Sequence, residues 1–436
     1  MLSRLKSLQF LQGSTLARNT GWMLVGLGLK LVIQALYFTV IARSLGAPNY
    51  GAFVGVVGLV GILSPFGTLG SGNLLVKNVA RDHGKFQTNF GLALLTTISV
   101  STILFLLVVL FSRYVLPATI PISLAMLVAA SDLFGTSLIL ICGQAFAAFE
   151  RLKWTASINA LVSTLRLVAA FLLITLYHHP SALQWGRFYF GSTSLSAIIA
   201  LSFVFAKLGP AKLSLGRSAA ELREGFYFSA GMSTATIYND IDKAMLARLG
   251  TLEATGIYGA AYRLIDVSFA PVASLLAAAY AGFFRAGAGG ISAAIQYARP
   301  LVGRALAYAS LVSVAMLVGA GIVPYVLGGQ YRLTVEALRW LAILPMLRVV
   351  HVFLSDALSG AGYQGLKSLI QLGVAAFNVL INLWVIPAYS WRGAAWSSIA
   401  SDALLACGIG AAVMTLSRRS QVATGEARGL TVRVEA

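Results

Sequence analysis

Charge is what this chain has least of. Only 11% of its 436 residues are Asp, Glu, Lys or Arg, against 58% that are apolar. A soluble domain carries about 25% charged residues to cover its surface, so the composition excludes an ordinary water-soluble protein. Acidic residues are scarcer still, 14 against 32 basic ones. The two cysteines, Cys142 and Cys407, both fall in apolar runs and offer neither a disulfide framework nor a metal-like spacing. The four histidines, His83, His178, His179 and His351, also lack ligand spacing, so no metal and no cofactor is expected. A phosphate-binding glycine loop and a nucleophile elbow are missing, and the polar interruptions are too short to house a soluble catalytic domain. An enzyme and an ATP-driven pump are therefore not expected. Strict alternation of polar and apolar residues is absent too, which argues against a membrane β-barrel.

What is present is apolar sequence in long runs, with a mean hydropathy of +0.82. A run of about 20 such residues crosses the hydrocarbon core as a helix. About twelve helices are expected, at roughly 20–43, 51–76, 89–112, 119–143, 154–177, 184–206, 225–249, 257–283, 301–327, 335–359, 368–388 and 393–416. Residues 1–19 are polar, carry Arg4, Lys6 and Arg18, and show no small-residue cleavage site, so the first run is expected to stay as a span. The fold class is thus an all-α polytopic membrane protein.

Two stretches read as the same element written twice. ARSLGAPNYGAFVGVVGL at 42–59 parallels ARLGTLEATGIYGAAYRL at 247–264. Arg43 matches Arg248, Gly46 matches Gly250 and Gly51 matches Gly256, at offsets of 205, 204 and 205 residues. Pro65 and Pro271 fall at corresponding places in the helices that follow, where a missing backbone hydrogen bond would make each a hinge. The longest polar interruption, KLGPAKLSLGRSAAELRE at 207–224, then reads as a cytoplasmic linker. It separates an N-terminal six-helix bundle (1–206) from a C-terminal one (225–416) that ends in a cytoplasmic tail (417–436). An even number of spans per half makes the repeats parallel, related by a pseudo-two-fold axis along the membrane normal, and such internal repeats characterise secondary transporters.

With both termini in the cytoplasm, twenty Lys/Arg fall in inside segments and seven in outside segments and span ends. This positive-inside asymmetry orients the chain and accounts for most of the net charge of +18. The basic residues touch anionic headgroups; with no folded basic domain, nucleic acid is not an expected partner. Trp22, Tyr114, Trp185 and Trp391 near span ends suit interfacial belts. Gly26, Gly28, Gly55, Gly58 and Gly61 suit close helix approach.

Five cations remain inside expected spans: Lys30, Arg166, Lys243, Arg263 and Arg348. So do six acids: Asp132, Asp240, Asp242, Asp266, Asp356 and Asp402. Each such charge costs at least about 2.5–3.5 kcal/mol on insertion scales, so these residues are the site candidates. Arg263 with Asp266, and Asp240 with Lys243, sit three apart on one helix and can meet, which serves either helix insertion or a titratable coupling site. Asp266, five residues before Pro271, is the leading ion-coupling candidate, followed by Asp132 and Asp240. Lys30, Arg166 and Arg348 have no acid at i±3 or i±4. They require a wet cavity or an acid on another helix, and Asp132 is an available partner for Arg166.

Four segments carry a family resemblance: IARSLGAPNYGAF at 41–53, GSGNLLVKNVARD at 70–82, YNDIDKAMLARLGTLEATGIYGAAYRLID at 238–266, and AGYQGLKSLIQLGVAAFNVLINLWVIPAY at 361–389. Together they resemble the multidrug/oligosaccharidyl-lipid/polysaccharide (MOP) flippase superfamily, and within it a Wzx-type O-antigen or repeat-unit flippase. The resemblance covers nearly the whole chain. It implies two six-helix bundles arranged as a V around a central cavity in the bacterial inner membrane. It implies an undecaprenyl-diphosphate-linked oligosaccharide moved from the cytoplasmic to the periplasmic leaflet by alternating access, with H+ or Na+ as coupling ion. A polysaccharide polymerase and a chain-length regulator are implied partners. Lys30, Arg166, Lys243, Arg263 and Arg348 would then hold the diphosphate and acidic sugars.

Two other readings compete. A multidrug and toxin extrusion exporter of the same fold would favour an acidic pocket for cationic drugs, which Lys30 and Arg166 oppose. A membrane-embedded glycan polymerase or ligase carries a large periplasmic loop, whereas the outer segments here, near 177–187 and 327–335, are short.

Overall fold

The computed structural model describes residues 31–418 apart from 152, 213–222, 224, 227, 228, 231, 232, 234, 235, 238 and 281. Among the described residues all regular structure is helical. In chain order the α-helices are α1 (Leu2–Gly67), α2 (Ser71–Arg81), α3 (Phe86–Val115), α4 (Ile122–Ala129), α5 (Ser137–Ala148), α6 (Leu152–Leu176) and α7 (Ala182–Leu208). They continue as α8 (Ala219–Leu249), α9 (Leu252–Gly287), α10 (Ile291–Gly319), α11 (Val323–Leu327), α12 (Arg332–Leu341), α13 (Leu344–Gly360), α14 (Gln364–Tyr389) and α15 (Trp391–Val434). Nine stretches of the described residues are long and apolar enough to cross a membrane, ten if one bent pair counts as a span. The chain is a multi-pass, all-α membrane protein.

Helix breaks fall where side chains and backbone demand them. Within α1, Gly46 takes φ 70° and ψ 168°, a region essentially reserved for glycine. It divides α1 into the two helices expected from the hydropathy. A Cβ on Gly46 would collide with the Gln330 carboxamide, whose Oε1 accepts the Ala47 N–H at 3.0 Å. The second expected span, 51–76, is not one helix. Leu69 (φ 45°) and Gly70 (φ 65°) break it between α1 and α2, and this turn brings Leu69 and Gly70 against the backbone of Gly225. The tenth expected span is the bent pair, Gly329–Leu341 with Leu344–Gly360 at 46°. Pro345 lies in the first turn of α13, where its missing N–H leaves no intrahelical bond unmade.

The chain forms two compact units. The first comprises Met1–Ser44, Leu63–Phe111 and Pro121–Ser229. The second comprises Leu45–Ile62, Ser112–Ile120 and Ala230–Ala436. In the first, Leu75, Phe86, Phe90, Phe146 and Val204 form part of a buried apolar cluster, with Phe86 and Phe90 stacked at 5.2 Å. In the second, one cluster gathers Val272, Phe283, Val349 and Phe353, and another Leu358, Val374, Leu405 and Ile409.

Residues 45–62 join the second unit because the two repeated elements pack on one another. A Cβ on Gly51 would strike the carbonyl oxygen of Leu252, and one on Gly256 would strike that of Ala47. Both carbonyls stand four residues before the partner glycine, so the contact is reciprocal. In lipid no hydrophobic force separates helix from bilayer, and such close backbone approach supplies the attraction. Arg248 extends the same region, its Nη1 donating to the Leu116 carbonyl at 3.5 Å.

Candidate functional site

Each unit holds a cluster of charged and aromatic side chains within its helices. In the first unit the cluster centres on Tyr189 of α7. Its hydroxyl donates to Asp132 Oδ1 at 2.8 Å, and its ring receives the Arg166 guanidinium at 4.4 Å. Asp132 lies on a π-helical segment, Ala130–Thr136, between α4 and α5; such widened turns recur at functional sites. Arg166 and Asp132, paired in expectation, thus meet through Tyr189, with no ion pair between them among the described residues. Arg166 Nη2 reaches Thr193 Oγ1 at 3.4 Å, while its buried Nε finds no hydrogen-bond partner among the described residues. Trp185 is buried and packs on Tyr37 at 5.6 Å and on Tyr189 at 5.9 Å. It walls this cluster and does not serve an exposed interfacial belt.

The second unit holds the denser cluster. Arg348 of α13 is 7% exposed and spends its fork on three other helices. Its Nη1 donates to Asp266 Oδ1 of α9 at 3.0 Å and its Nε to Asp402 Oδ2 of α15 at 3.4 Å. Its Nη2 donates to Tyr262 Oη at 2.7 Å and to Asn239 Oδ1 of α8 at 3.3 Å. His351, one turn along α13, places Nε2 3.4 Å from Asp402 Oδ1. Lys243 is equally buried. It pairs with Asp240, donates to the Asn239 carbonyl at 3.2 Å and lies 4.2 Å from the Tyr262 ring centroid. Asp242, fully buried, accepts from Tyr258 and from Ser398 at 2.9 Å.

The same-helix expectation holds for Asp240 and Lys243 and fails for Arg263 and Asp266. Asp266 turns to Arg348 on α13, and Arg263 makes no ion pair among the described residues. Asp356 faces Lys367 at 3.7 Å. Pro65 stands two residues before the end of α1 and Pro271 inside α9; the non-helical dihedrals within α1 belong to Gly46. Lys30 lies outside the described residues. Two buried asparagines also escape a charge-based reading. Asn378 donates to Ser401 Oγ at 2.9 Å, and Asn382 donates to Asn378 Oδ1 at 3.0 Å. Their i,i+4 spacing on an apolar helix was the available signal.

The arrangement can do two things. In the first unit an incompletely bonded guanidinium, beside an aromatic face, suits an anionic group. In the second, four carboxylates (Asp240, Asp242, Asp266 and Asp402) face two cations (Lys243 and Arg348), an excess that suits a small cation or a proton.

Residues 16–285, more than half of the chain, match the family described as "Polysaccharide biosynthesis protein". No curated protein matches the chain. Among solved structures it is similar to an inward-facing multidrug resistance MATE family transporter of the MOP superfamily. That likeness has a TM-score of 0.73 at 14% identity and covers 90% of this chain and 96% of the other. It is similar to the lipid II flippase MurJ in an inward closed conformation, with a TM-score of 0.73 at 10% identity over 89% of this chain and 87% of the other. It also resembles a MOP superfamily transporter from Pyrococcus furiosus described as having a binding pocket of reverse polarity. There the TM-score is 0.56 at 15% identity, over 90% of this chain and 95% of the other. The chain has the fold of the MOP superfamily transporters and belongs to the polysaccharide biosynthesis protein family.

Proposed function

We propose that this member of the polysaccharide biosynthesis family is a flippase for lipid-linked oligosaccharide. It carries undecaprenyl-diphosphate-linked repeat units, of the O-antigen type, from the cytoplasmic to the periplasmic leaflet of a bacterial inner membrane by ion-coupled alternating access. The family supports the glycan, and the fold it shares with a lipid II flippase supports the lipid carrier. The observation that carries the reading is Arg166, a guanidinium held inside a helical unit with Nε unbonded and Tyr189 beside it. A diphosphate supplies the oxygens that such a fork lacks.

The residue roles divide between the units. Arg166 and Lys30 hold the diphosphate. Lys243 and Arg348 are already neutralised by carboxylates and act with Asp266, Asp240 and Asp402 in coupling, where H+ or Na+ is the driving ion. Asp132 orients Tyr189, and Pro65 and Pro271 serve as hinges. A polymerase and a chain-length regulator are the partners that this place in glycan export implies.

The test is the leaflet sidedness of lipid-linked oligosaccharide in cells lacking the gene. Accumulation in the inner leaflet, reversed by the wild-type gene, supports the flippase. Normal sidedness and normal surface polysaccharide would sink it and point to drug export.

A further inference from the structure

Helices α6 and α7 leave a groove of about 310 Å³ along one face of the first unit, at the low end of the size of ligand sites. Its walls are apolar: Leu165, Val168 and Leu172 on α6, Leu195 on α7. Val168, Leu172 and Leu195 are each almost half exposed, so the groove is open along its length. Gly191 contributes no side chain, and a Cβ there would meet nothing within 4 Å. A single charge stands in this lining, Arg187, five residues into α7. It is exposed and makes no ion pair among the described residues.

We propose that this groove is a binding site for an anionic phospholipid. One acyl chain lies between Leu172 and Leu195, and the phosphate sits on Arg187. The chemistry divides as a phospholipid does: an aliphatic slot with one cation at one end. An arginine fork matches a phosphate. The length selects among lipids. From Arg187 to Leu195 the helix rises about 12 Å at about 1.5 Å per residue, less than half of a hydrocarbon core about 30 Å thick. That depth suits a chain confined to one leaflet, at the end of α7 capped by Ser181. A long isoprenoid carrier would overrun it. The site differs in chemistry from the Arg166 cluster, and it stands whatever substrate the protein moves.

Native mass spectrometry of the full-length protein tests this. Phosphatidylglycerol, phosphatidylethanolamine and a polyprenyl phosphate are added in turn. The wild type should retain one phosphatidylglycerol preferentially. Arg187→Gln should weaken that retention about tenfold, the value of one charge-assisted contact, while Arg187→Lys keeps most of it. Gly191→Leu, placed where the backbone has room, should remove chain binding while the protein elutes as folded material. Equal retention in the wild type, Arg187→Gln and Gly191→Leu would overturn the proposal. So would tighter retention of the polyprenyl phosphate than of phosphatidylglycerol.

Discussion

Gly51 and Gly256 occupy equivalent places in the repeated element and meet each other's helix reciprocally. Each presses on the carbonyl four residues before the other, Leu252 for Gly51 and Ala47 for Gly256. The sequence repeat is therefore also a packing interface inside one unit. Gly51→Ala and Gly256→Ala should each destabilise the folded protein by about 1–3 kcal/mol, the usual cost of overpacking. Gly61→Ala, whose Cβ would meet only Thr236 Cγ2 at 3.7 Å, should leave the melting temperature unchanged or raise it. Thermal unfolding in detergent distinguishes the three.

Arg348 is bonded to two carboxylates, Asp266 and Asp402, from two other helices. Removing one partner of a buried pair costs about 3–5 kcal/mol because the remaining charge is stranded. Arg348→Ala should therefore lower the protein's melting temperature and its yield in the membrane. Arg348→Lys should rescue little, since a single ammonium cannot serve Asp266, Asp402 and Tyr262 together. Restoration of wild-type melting by lysine would count against this reading.

Arg166→Ala should behave differently. It leaves Asp132 bonded to Tyr189, so protein should remain in the membrane while glycan export falls. A loss of at least about tenfold is expected from one charge-assisted contact to a diphosphate. Surface polysaccharide measured against the amount of membrane protein reads the two effects apart. Undiminished polysaccharide would remove Arg166 from the substrate site.

Asp266→Asn should keep a hydrogen-bond acceptor for Arg348 but lose the exchangeable charge. Transport driven by a pH gradient should weaken and its pH dependence flatten, with substrate binding retained. An unaltered pH profile in proteoliposomes would exclude Asp266 as the coupling residue.

Much of the fold was legible because the bilayer imposes it. Hydropathy located most of the spans, although the one expected at 225–249 is not among the stretches of described residues long and apolar enough to cross a membrane, and the Ala-Arg…Gly repeat marked the elements that now prove to touch. Partners on other helices were not legible. An i,i+3 rule sees one helix face, so it found Asp240 with Lys243 and wrongly joined Arg263 to Asp266, which α13 claims through Arg348. The break at Leu69–Gly70 was hidden in an apolar run, and the backbone it approaches belongs to the distant Gly225. Tyr189 carried no charge and drew no attention, although it connects Asp132 and Arg166.

The fork of Arg348 has a mechanical consequence. One side chain ties α13 to α8, α9 and α15 at a single point. Sliding any one of these helices past the others would have to break charge-assisted bonds to a buried guanidinium. Around that point, movement of the four helices as a rigid body is the inexpensive course, and bending is left to the segments beyond it.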